Sequence, residues 1–454
     1  MAKEAVEDNQ EKTKLKRVMG PGLLLLFIIG DVLGTGIYAL TGEVAAEVGG
    51  VVWLPFLIAF FVALLTACSY LELVTKYPKA AGAALYAQKA FGIHFVTFLV
   101  AFAVMSSGIT SAATASRAFA ANFATSFGFE AGAWSVPMIA AVFIALVALI
   151  NLRGVSESVK MNVVLTLVEL SGLLIIIGIG AWAIAGGQGD VSRAWTFDPP
   201  SESGMVWGVV AATTLAFFAM VGFEDSVNMA EETKNPTRTF PKVLLTGLAI
   251  TGVIYVLVSV SAITLVPAAE LGEGETPLLK VVQAGAPAFP INIFGIITMF
   301  AVANSALINM LMASRLIYGM SRERVLPSLF GHVHGKRQTP DMAIIFTSIL
   351  AVMLILFAGG VPELGGTTSL LLLCVFTIVN ISVLVLRRDR VKHEHFRAPT
   401  ALPVLGVLSC AFLAGPWTGR DPIQYLIGAS LIGLGVVLWL ANSAFMKRKE
   451  EKPA

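Results

Sequence analysis

The sequence predicts an all-α membrane protein, and three observations support this. The 454 residues are 56% hydrophobic and only 13% charged, and the mean hydropathy of +0.81 is far above that of a water-soluble domain. Apolar stretches long enough to cross a hydrocarbon core of roughly 30 Å recur along the whole chain. These stretches are continuously apolar and lack the alternation of a barrel strand. We therefore expect transmembrane helices.

About twelve transmembrane helices, here called spans 1 to 12, are predicted at residues 22–46, 51–75, 95–125, 134–151, 159–186, 205–231, 240–266, 290–320, 341–358, 367–386, 401–417 and 423–445. The first twenty residues are polar and lack the pattern of a cleaved signal peptide. Lys and Arg residues lie in the tails, in loops after even-numbered spans or at the adjoining helix ends, with the exceptions of Arg117, Arg193, Lys280 and Arg420. Because basic loops stay in the cytoplasm, this distribution predicts a plasma (inner) membrane protein with both termini inside.

One transmembrane domain at residues 21–446 accounts for the chain between a cytoplasmic N-terminal tail at 1–20 and a cytoplasmic C-terminal tail at 447–454. Spans 1 and 6 each contain an interruption, at residues 30–36 (GDVLGTG) and 218–224 (FAMVGFE). Matching interruptions in two halves indicate an inverted repeat with a binding site at the midplane of the membrane. The repeats are predicted at 21–187 and 204–388, followed by two further helices at 400–446.

The interruption in span 1 suits a zwitterionic ligand. Glycine weakens a helix interior by about 1 kcal/mol, and unwound backbone is tolerated in a membrane only inside protein or beside a wet cavity. A helix that restarts near Gly36 presents free N–H groups to a carboxylate, and the carbonyl groups that end the preceding half-helix suit an ammonium group. Alternatively, Gly34 and Gly36 only allow close helix packing.

Several motifs resemble those of the amino acid, polyamine and organocation superfamily, whose members share the leucine-transporter fold. Residues 34–38 (GTGIY) resemble the GTGIF signature of helix 1, residues 217–224 (FFAMVGFE) resemble the FFAYxGF(D/E) motif of helix 6, and residues 231–236 (EETKNP) resemble the loop after it. The resemblance covers almost the whole chain and is closest to bacterial relatives of the cationic amino acid transporters. It implies a secondary active amino acid permease that works by alternating access, in which spans 1, 2, 6 and 7 move against the rest.

The resemblance also implies where a substrate binds. The N–H groups of Thr35 and Gly36, with the Thr35 hydroxyl, would hold a substrate carboxylate. The backbone carbonyl groups of Val32, Phe218 and Val221 would hold its amine. The expected substrate-binding residues are Val32, Gly34, Thr35, Gly36, Phe218, Ala219, Val221 and Gly222.

Two of the matched positions are expected to gate the site. Phe218 occupies the place of an aromatic residue that covers the substrate, and Glu224 matches an acidic outer-gate residue. The alternatives are that Phe218 is an ordinary packing residue and that Glu224 only accepts a structural hydrogen bond.

Two positions depart from the family pattern and concern ion coupling. Glu169 on span 5 stands where many sodium-independent relatives carry a lysine, so the sign of the charge is reversed. A buried lone carboxylate tends to take up a proton or to bind a cation. A proton is favoured, while a sodium ion at Glu169 would need further oxygen ligands, which Asn304 and Ser305 could supply. A permanently protonated structural glutamate is the remaining alternative.

Asp31 is the second departure, since relatives usually carry Ala, Ser or Asn at this position. It could attract a cationic substrate, share protons with Glu169, or cap the broken helix. An amine or polyamine carrier is therefore the nearest competing function, and a channel or a nutrient-sensing receptor is a more distant one.

The remaining expectations are absences. The chain has no HExxH motif and no GxSxG motif in a suitable context, so an enzyme is not predicted. We expect no cofactor other than H⁺ or Na⁺ as the coupling ion, no metal centre apart from that sodium alternative, and no nucleic-acid partner. Cys68, Cys374 and Cys410 lie in apolar segments and residues 122–133 contain no cysteine, so a disulfide-linked accessory subunit is not expected either.

Overall fold

The computed structural model describes residues 19–79, 82–129, 134–153, 158–197, 204–323, 325–335, 337 and 339–450. Within these residues the regular structure is helical, apart from one isolated bridge between Met19 and Thr233. Ten segments are helical, long and apolar enough to cross a membrane, and two shorter apolar helices, Asp341–Phe357 and Ala401–Ala414, accompany them. The all-α membrane fold is therefore confirmed, while the number of twelve spans stays a prediction.

The described α-helices are α1 (Pro21–Val32), α2 (Thr35–Val48), α3 (Trp53–Lys76), α4 (Gly82–Phe91), α5 (His94–Phe127), α6 (Ser135–Arg153), α7 (Ser158–Ala185), α8 (Gly204–Ala216), α9 (Pro236–Leu265), α10 (Ala268–Leu271), α11 (Pro277–Gly285), α12 (Ile291–Arg322), α13 (Asp341–Phe357), α14 (Val361–Leu386), α15 (Ala401–Ala414) and α16 (Pro422–Glu450). Span 1 consists of α1 and α2. Span 6 consists of α8 followed by 3₁₀ turns at Phe217–Met220 and Asp225–Met229. Helices α3, α5, α6, α7, α9 and α12 to α16 correspond to the other ten predicted spans.

The broken spans lie at the centre of the bundle. Helix α1 packs against α7 and α9, and α2 packs against α8. The long helix α5 packs most extensively against α12 and α14, where small residues such as Ala112, Ala113 and Ala115 are fully buried. Large apolar side chains on the outside of the bundle, including Trp182 and Phe357, are exposed, as expected for a surface that faces lipid.

Three features differ from the sequence expectations. Span 10 begins earlier than residue 367, at Val361, because Pro362 fits the first turn of a helix and the Glu363 carboxylate accepts a hydrogen bond from the Gly360 N–H at 2.7 Å. After its break, span 6 continues as 3₁₀ turns rather than as an α-helix. The short helices α4 and α11 lie in connections where no helix was predicted, and α11 buries Leu278 and Leu279 against α2, α7 and α12.

Candidate functional site

The break in span 1 occupies two residues, Leu33 and Gly34, between α1 and α2. No described side chain caps the start of α2, so its first N–H groups, which have no partner inside the helix, stay available. The Thr35 hydroxyl is also unpartnered within the described residues, although Thr35 is only 3% exposed. The start of α2 therefore offers free donors in a buried position.

The break in span 6 centres on Gly222. This residue has φ of +118°, a conformation that L side chains rarely adopt. A Cβ atom on Gly222 would also lie 2.6 Å from the Asp31 carbonyl oxygen, so the close approach of the two breaks requires glycine here. The Glu224 carboxylate accepts a hydrogen bond from the Gly222 N–H at 2.9 Å. Glu224 thus makes the structural hydrogen bond that the sequence offered as the alternative to a gating role.

Tyr255 on span 7 joins the two breaks. Its hydroxyl donates to the carbonyl oxygen of Val32 and, at 2.9 Å, to that of Ala219. The carbonyl oxygen of Phe218 accepts the Val221 N–H at 3.3 Å. The carbonyl groups of Val32 and Phe218, two of those expected to hold an amine, therefore already accept one hydrogen bond each. This leaves one lone pair on each for a ligand.

A cavity with about 330 Å³ of empty space lies between the two breaks. Most of the predicted binding residues line it, together with Ser305, which lies against Gly34, and three residues that the sequence analysis missed. The lining residues are Asp31, Val32, Gly34, Thr35, Gly36, Ser111, Phe218, Val221, Gly222, Asp225, Ser305 and Asn309. Ser111 and Asn309 come from spans 3 and 8. The sequence alone does not show which face of each of these helices points to the cavity. Asp225 could have been found as a second carboxylate directly after Glu224.

Two further cavities, of about 350 and 360 Å³, continue from this site toward the side of the bundle that carries Met19. The first and second cavities share Val221, Asp225 and Asn309, and Asp225 also lines the third, which reaches α4. On the opposite side, Phe218 and Leu40 pack against Gly365, where an added Cβ atom would lie 3.4 Å and 3.2 Å from them. The cavities therefore lead from the breaks toward the N-terminal side.

The positions of four predicted residues need comment. Glu224 lines the second and third cavities, on the N-terminal side of the breaks. In the predicted orientation this is the inner side, whereas the sequence analysis places Glu224 at an outer gate, so its gating role stays a prediction. Ala219 packs against Gly36 rather than lining the cavity. Glu169 and Asn304 line none of the three cavities.

The three cavities have an acidic lining. Asp31 and Asp225 both line the first cavity, and Glu224 adds a third carboxyl group farther along. No Lys, Arg or His occurs among the lining residues of the three cavities. One carboxylate oxygen of Asp31 is buried without a described hydrogen-bond partner. Because an unpaired buried charge is unfavourable, this site suits a ligand that carries positive charge.

Glu169 lies beside the breaks but not in the cavity. Its side chain is fully buried, and neither carboxyl oxygen has a hydrogen-bond partner within the described residues. The Tyr38 hydroxyl donates to the Glu169 backbone carbonyl at 2.6 Å and so fixes this turn of span 5 against span 1. Asn304 and Ser305 make no hydrogen bond to Glu169. Among the described residues, no group of three or more His, Cys, Asp or Glu is arranged to hold a metal ion.

Ion pairs tie the helices together at both ends of the bundle. On the N-terminal side, Arg387 donates to both carboxylate oxygens of Glu72 at 2.8 and 2.7 Å, and the Ala398 N–H donates to the same carboxylate. On the opposite side, the Arg117 guanidinium lies 3.7 Å from the Glu275 carboxylate. Burial raises the pKa of Glu275, and the positive charge of Arg117 acts against that rise.

Comparison with known proteins shows the family to which this chain belongs. Residues 23–440 match the family model described as "Amino acid permease". The chain is 30% identical over 423 residues to the methylthioribose transporter of Bacillus subtilis, which covers 88% of this chain and 87% of that protein. It is 26% identical over 420 residues to the branched-chain amino acid permease BcaP of the same organism, covering 88% of each. It is also 28% identical to cationic amino acid transporter 3, mitochondrial, of Arabidopsis thaliana, over 80% of this chain and 61% of that protein.

The match extends over nearly all of the described helices and includes both breaks and the cavity between them. The family resemblance expected from the motifs is thus confirmed, and the relatives are named as transporters. The chain belongs to the amino acid permease family and is a multi-pass membrane protein that acts as a secondary amino acid transporter.

Proposed function

We propose that the chain is a proton-coupled amino acid permease of the plasma membrane, with both termini in the cytoplasm and no disulfide-linked subunit. It moves its substrate by alternating access, and H⁺ rather than Na⁺ is its coupling ion. The single observation that carries the proposal is the set of unpartnered buried polar groups around the two breaks. Thr35, Asp31 and Glu169 each keep at least one side-chain oxygen without a described partner. Native proteins rarely leave such groups unsatisfied unless a ligand, an ion or water completes them.

The substrate's carboxylate binds at the start of α2. The first N–H groups of this helix and the Thr35 hydroxyl are free donors, and the helix dipole adds favourable electrostatic energy. The amine binds on the other side of the same cavity, near the carbonyl groups of Val32 and Val221. Phe218 covers the substrate from the side opposite the N-terminus, where its ring packs against Gly365.

The acidic lining favours substrates with a further positive charge. Asp31 and Asp225 line the same cavity without a basic neighbour in its lining. A cationic amino acid would place its side-chain charge near Asp225, on the route toward the N-terminal side. The same observation favours the second candidate, an amine or polyamine carrier, which differs in not needing the carboxylate site at Thr35.

Glu169 carries the coupling proton. A sodium ion prefers several oxygen ligands in a compact cage, whereas the structure brings no described side chain into hydrogen-bond contact with the Glu169 carboxyl group. A proton needs only the carboxyl group itself. Asp31 is the competing site, since it interacts electrostatically with Glu169 and lies at the cavity.

Uptake into proteoliposomes tests this proposal. Neutral, cationic and anionic amino acids and polyamines are offered under a pH gradient and, separately, under a sodium gradient. Wild-type protein should accumulate amino acids when the compartment outside the vesicle is acidic, and Glu169→Gln should retain substrate exchange but lose this accumulation. If Glu169→Gln keeps pH-driven accumulation and Asp31→Asn loses it, Asp31 carries the proton instead. Accumulation under the sodium gradient alone would refute proton coupling, and uptake of polyamines but not amino acids would favour the second candidate.

A further inference from the structure

The buried face of span 5 changes its chemistry halfway along the helix. In its N-terminal-side half, the buried residues among those whose side chains are described are Asn162, Thr166 and Glu169. They follow one another at helical spacings of four and three residues and so share one face. In the other half, the same buried face continues with Leu173 and Ile176. One helix face is thus polar from Asn162 to Glu169 and apolar from Leu173 to Ile176.

Each of the three polar side chains has an unsatisfied atom. The amide nitrogen of Asn162, the hydroxyl of Thr166 and both carboxyl oxygens of Glu169 are buried without a hydrogen-bond partner among the described residues. Asn162 is 6% exposed, and the other two are fully buried. One such group costs about 1 to 3 kcal/mol when nothing satisfies it. Three in succession on one face indicate that water, which the same atoms can bind, satisfies them.

The spacing fits a short line of water molecules. At a rise of about 1.5 Å per residue, the axial steps from Asn162 to Thr166 and on to Glu169 are roughly 6 and 4.5 Å. One water that makes hydrogen bonds of about 2.8 Å on either side spans at most about 5.6 Å, so a single water can bridge the shorter step and one or two waters the longer one. Gly30 of span 1 lies opposite Thr166, where an added Cβ atom would come 1.8 Å from the hydroxyl oxygen. The line therefore runs along the contact between α1 and α7, and the absent side chain at Gly30 leaves room for the hydroxyl.

We propose that Asn162 and Thr166 hold a line of water through which Glu169 exchanges protons with the N-terminal side of the membrane alone. This rests on the proposed function, in which Glu169 carries the coupling proton. The apolar half of the same face, at Leu173 and Ile176, blocks a continuation to the opposite side. Proton exchange between Glu169 and the opposite side of the membrane then has to pass through the substrate cavity. The proton and the substrate therefore enter from that side through the same cavity. On the N-terminal side the proton leaves along the water line, and the substrate leaves through the cavity.

The titratable side chains around Glu169 fit this arrangement. Among the described residues, those that interact electrostatically with Glu169 are Asp31 and Tyr38 of span 1 and Tyr255 of span 7. Asp31 both lines the substrate cavity and interacts electrostatically with Glu169, so it links the two. The tyrosine hydroxyls already donate to backbone carbonyl groups. The line toward Asn162 involves none of these three groups.

Thr166→Val and Asn162→Leu test the proposal, because both keep the side-chain volume and remove the polar atoms. Proton-driven uptake into proteoliposomes should slow about tenfold in each, in line with the loss of one hydrogen-bonded relay group, while exchange of substrate without a proton gradient stays close to the wild-type rate. Thr166→Ser keeps the hydroxyl and should restore the uptake. Ser171→Ala, which removes a hydroxyl from the exposed face of the same helix, is the matched control and should behave as wild type.

Hydroxyl-radical footprinting by X-ray radiolysis, which labels side chains next to bound water, gives a readout that does not depend on transport. The stretch 162–169 should be labelled in the wild type and in Glu169→Gln, and labelling should fall in Thr166→Val. Unlabelled wild-type protein, or equal losses of uptake and exchange in Thr166→Val, would overturn the water line. If Glu169→Gln still couples uptake to protons while the labelling pattern is as expected, the proposed function fails and the water line remains.

Discussion

Gly36 of span 1 lies directly against Ala219 of span 6, so that a Cβ atom on Gly36 would come 2.4 Å from the Ala219 Cα atom. The two broken spans thus touch through their backbones at the wall of the substrate cavity. A side chain at this position would push the start of α2 away from span 6.

The first prediction concerns this contact. Gly36→Ala should lower uptake at least tenfold, since overpacking at a tight contact costs about 1 to 3 kcal/mol and moves the N–H groups that we propose bind the carboxylate. Gly178→Ala is the control, because Gly178 of span 5 has open space around it. Uptake of a radiolabelled amino acid by proteoliposomes is the measurement, and wild-type uptake by Gly36→Ala would show that the contact tolerates a methyl group.

The second prediction concerns the covering aromatic ring. Phe218→Ala should slow substrate exchange much more than it weakens equilibrium binding, because the ring closes the cavity on one side and excludes water. Binding is measured by isothermal calorimetry and exchange by counterflow. Phe61→Ala removes a ring that is 53% exposed on the outside of the bundle and should change neither. Equal losses of binding and exchange would make Phe218 an ordinary packing contact.

The third prediction concerns the hydroxyl that joins the two breaks. Tyr255→Phe removes the donor to the carbonyl oxygens of Val32 and Ala219, which should destabilise the protein by about 1 kcal/mol and weaken substrate binding. Tyr425→Phe is a matched control, since its hydroxyl also contacts two backbone carbonyl groups but lies in span 12, away from the cavity. Both variants should lose thermal stability, whereas only Tyr255→Phe should lose affinity. A loss of affinity in both would point to a general effect of stability.

The fourth prediction separates substrates by charge. Asp225→Asn should weaken binding of cationic amino acids about tenfold and leave neutral amino acids nearly unchanged, because it removes one carboxylate from a lining without basic residues. Competition against a labelled substrate, with arginine and leucine as the two competitors, gives the comparison. Asp421→Asn, at an exposed position before span 12, should leave both affinities unchanged. An equal loss of affinity for arginine and leucine would mean that Asp225 affects the shape of the cavity but does not discriminate substrates by charge.

The fifth prediction concerns stability. Glu72→Ala leaves the part-buried Arg387 guanidinium without its paired carboxylate, which should cost less than the roughly 3 to 5 kcal/mol of a fully buried pair. The midpoint of thermal unfolding in detergent should fall clearly. Glu394→Ala, at an exposed position in the loop that follows Arg387, serves as the control. An unchanged midpoint for Glu72→Ala would show that the pair contributes little.

The sequence allowed the breaks to be predicted because their causes are local. Glycines inside apolar runs at residues 30–36 and 218–224 are visible without a fold, and so is Glu169 as a charge in an apolar helix. Ser111 and Asn309 could not be chosen in the same way, because spans 3 and 8 contain many small polar residues and only tertiary packing decides which of them face the cavity. The predicted grouping of Asn304 and Ser305 with Glu169 depends in the same way on tertiary packing, which decides where the residues of span 8 point. Ser305 lies at Gly34 and lines the substrate cavity instead.

The bridge at Met19 has a mechanical consequence. The Met19 N–H donates to the Glu232 carbonyl oxygen at 3.0 Å, and the Lys234 N–H donates to the Met19 carbonyl oxygen at 2.9 Å. The chain just before span 1 is thereby fastened to the loop that follows span 6. Any displacement of Met19 must therefore either break these two hydrogen bonds or move the start of span 1 and the end of span 6 together.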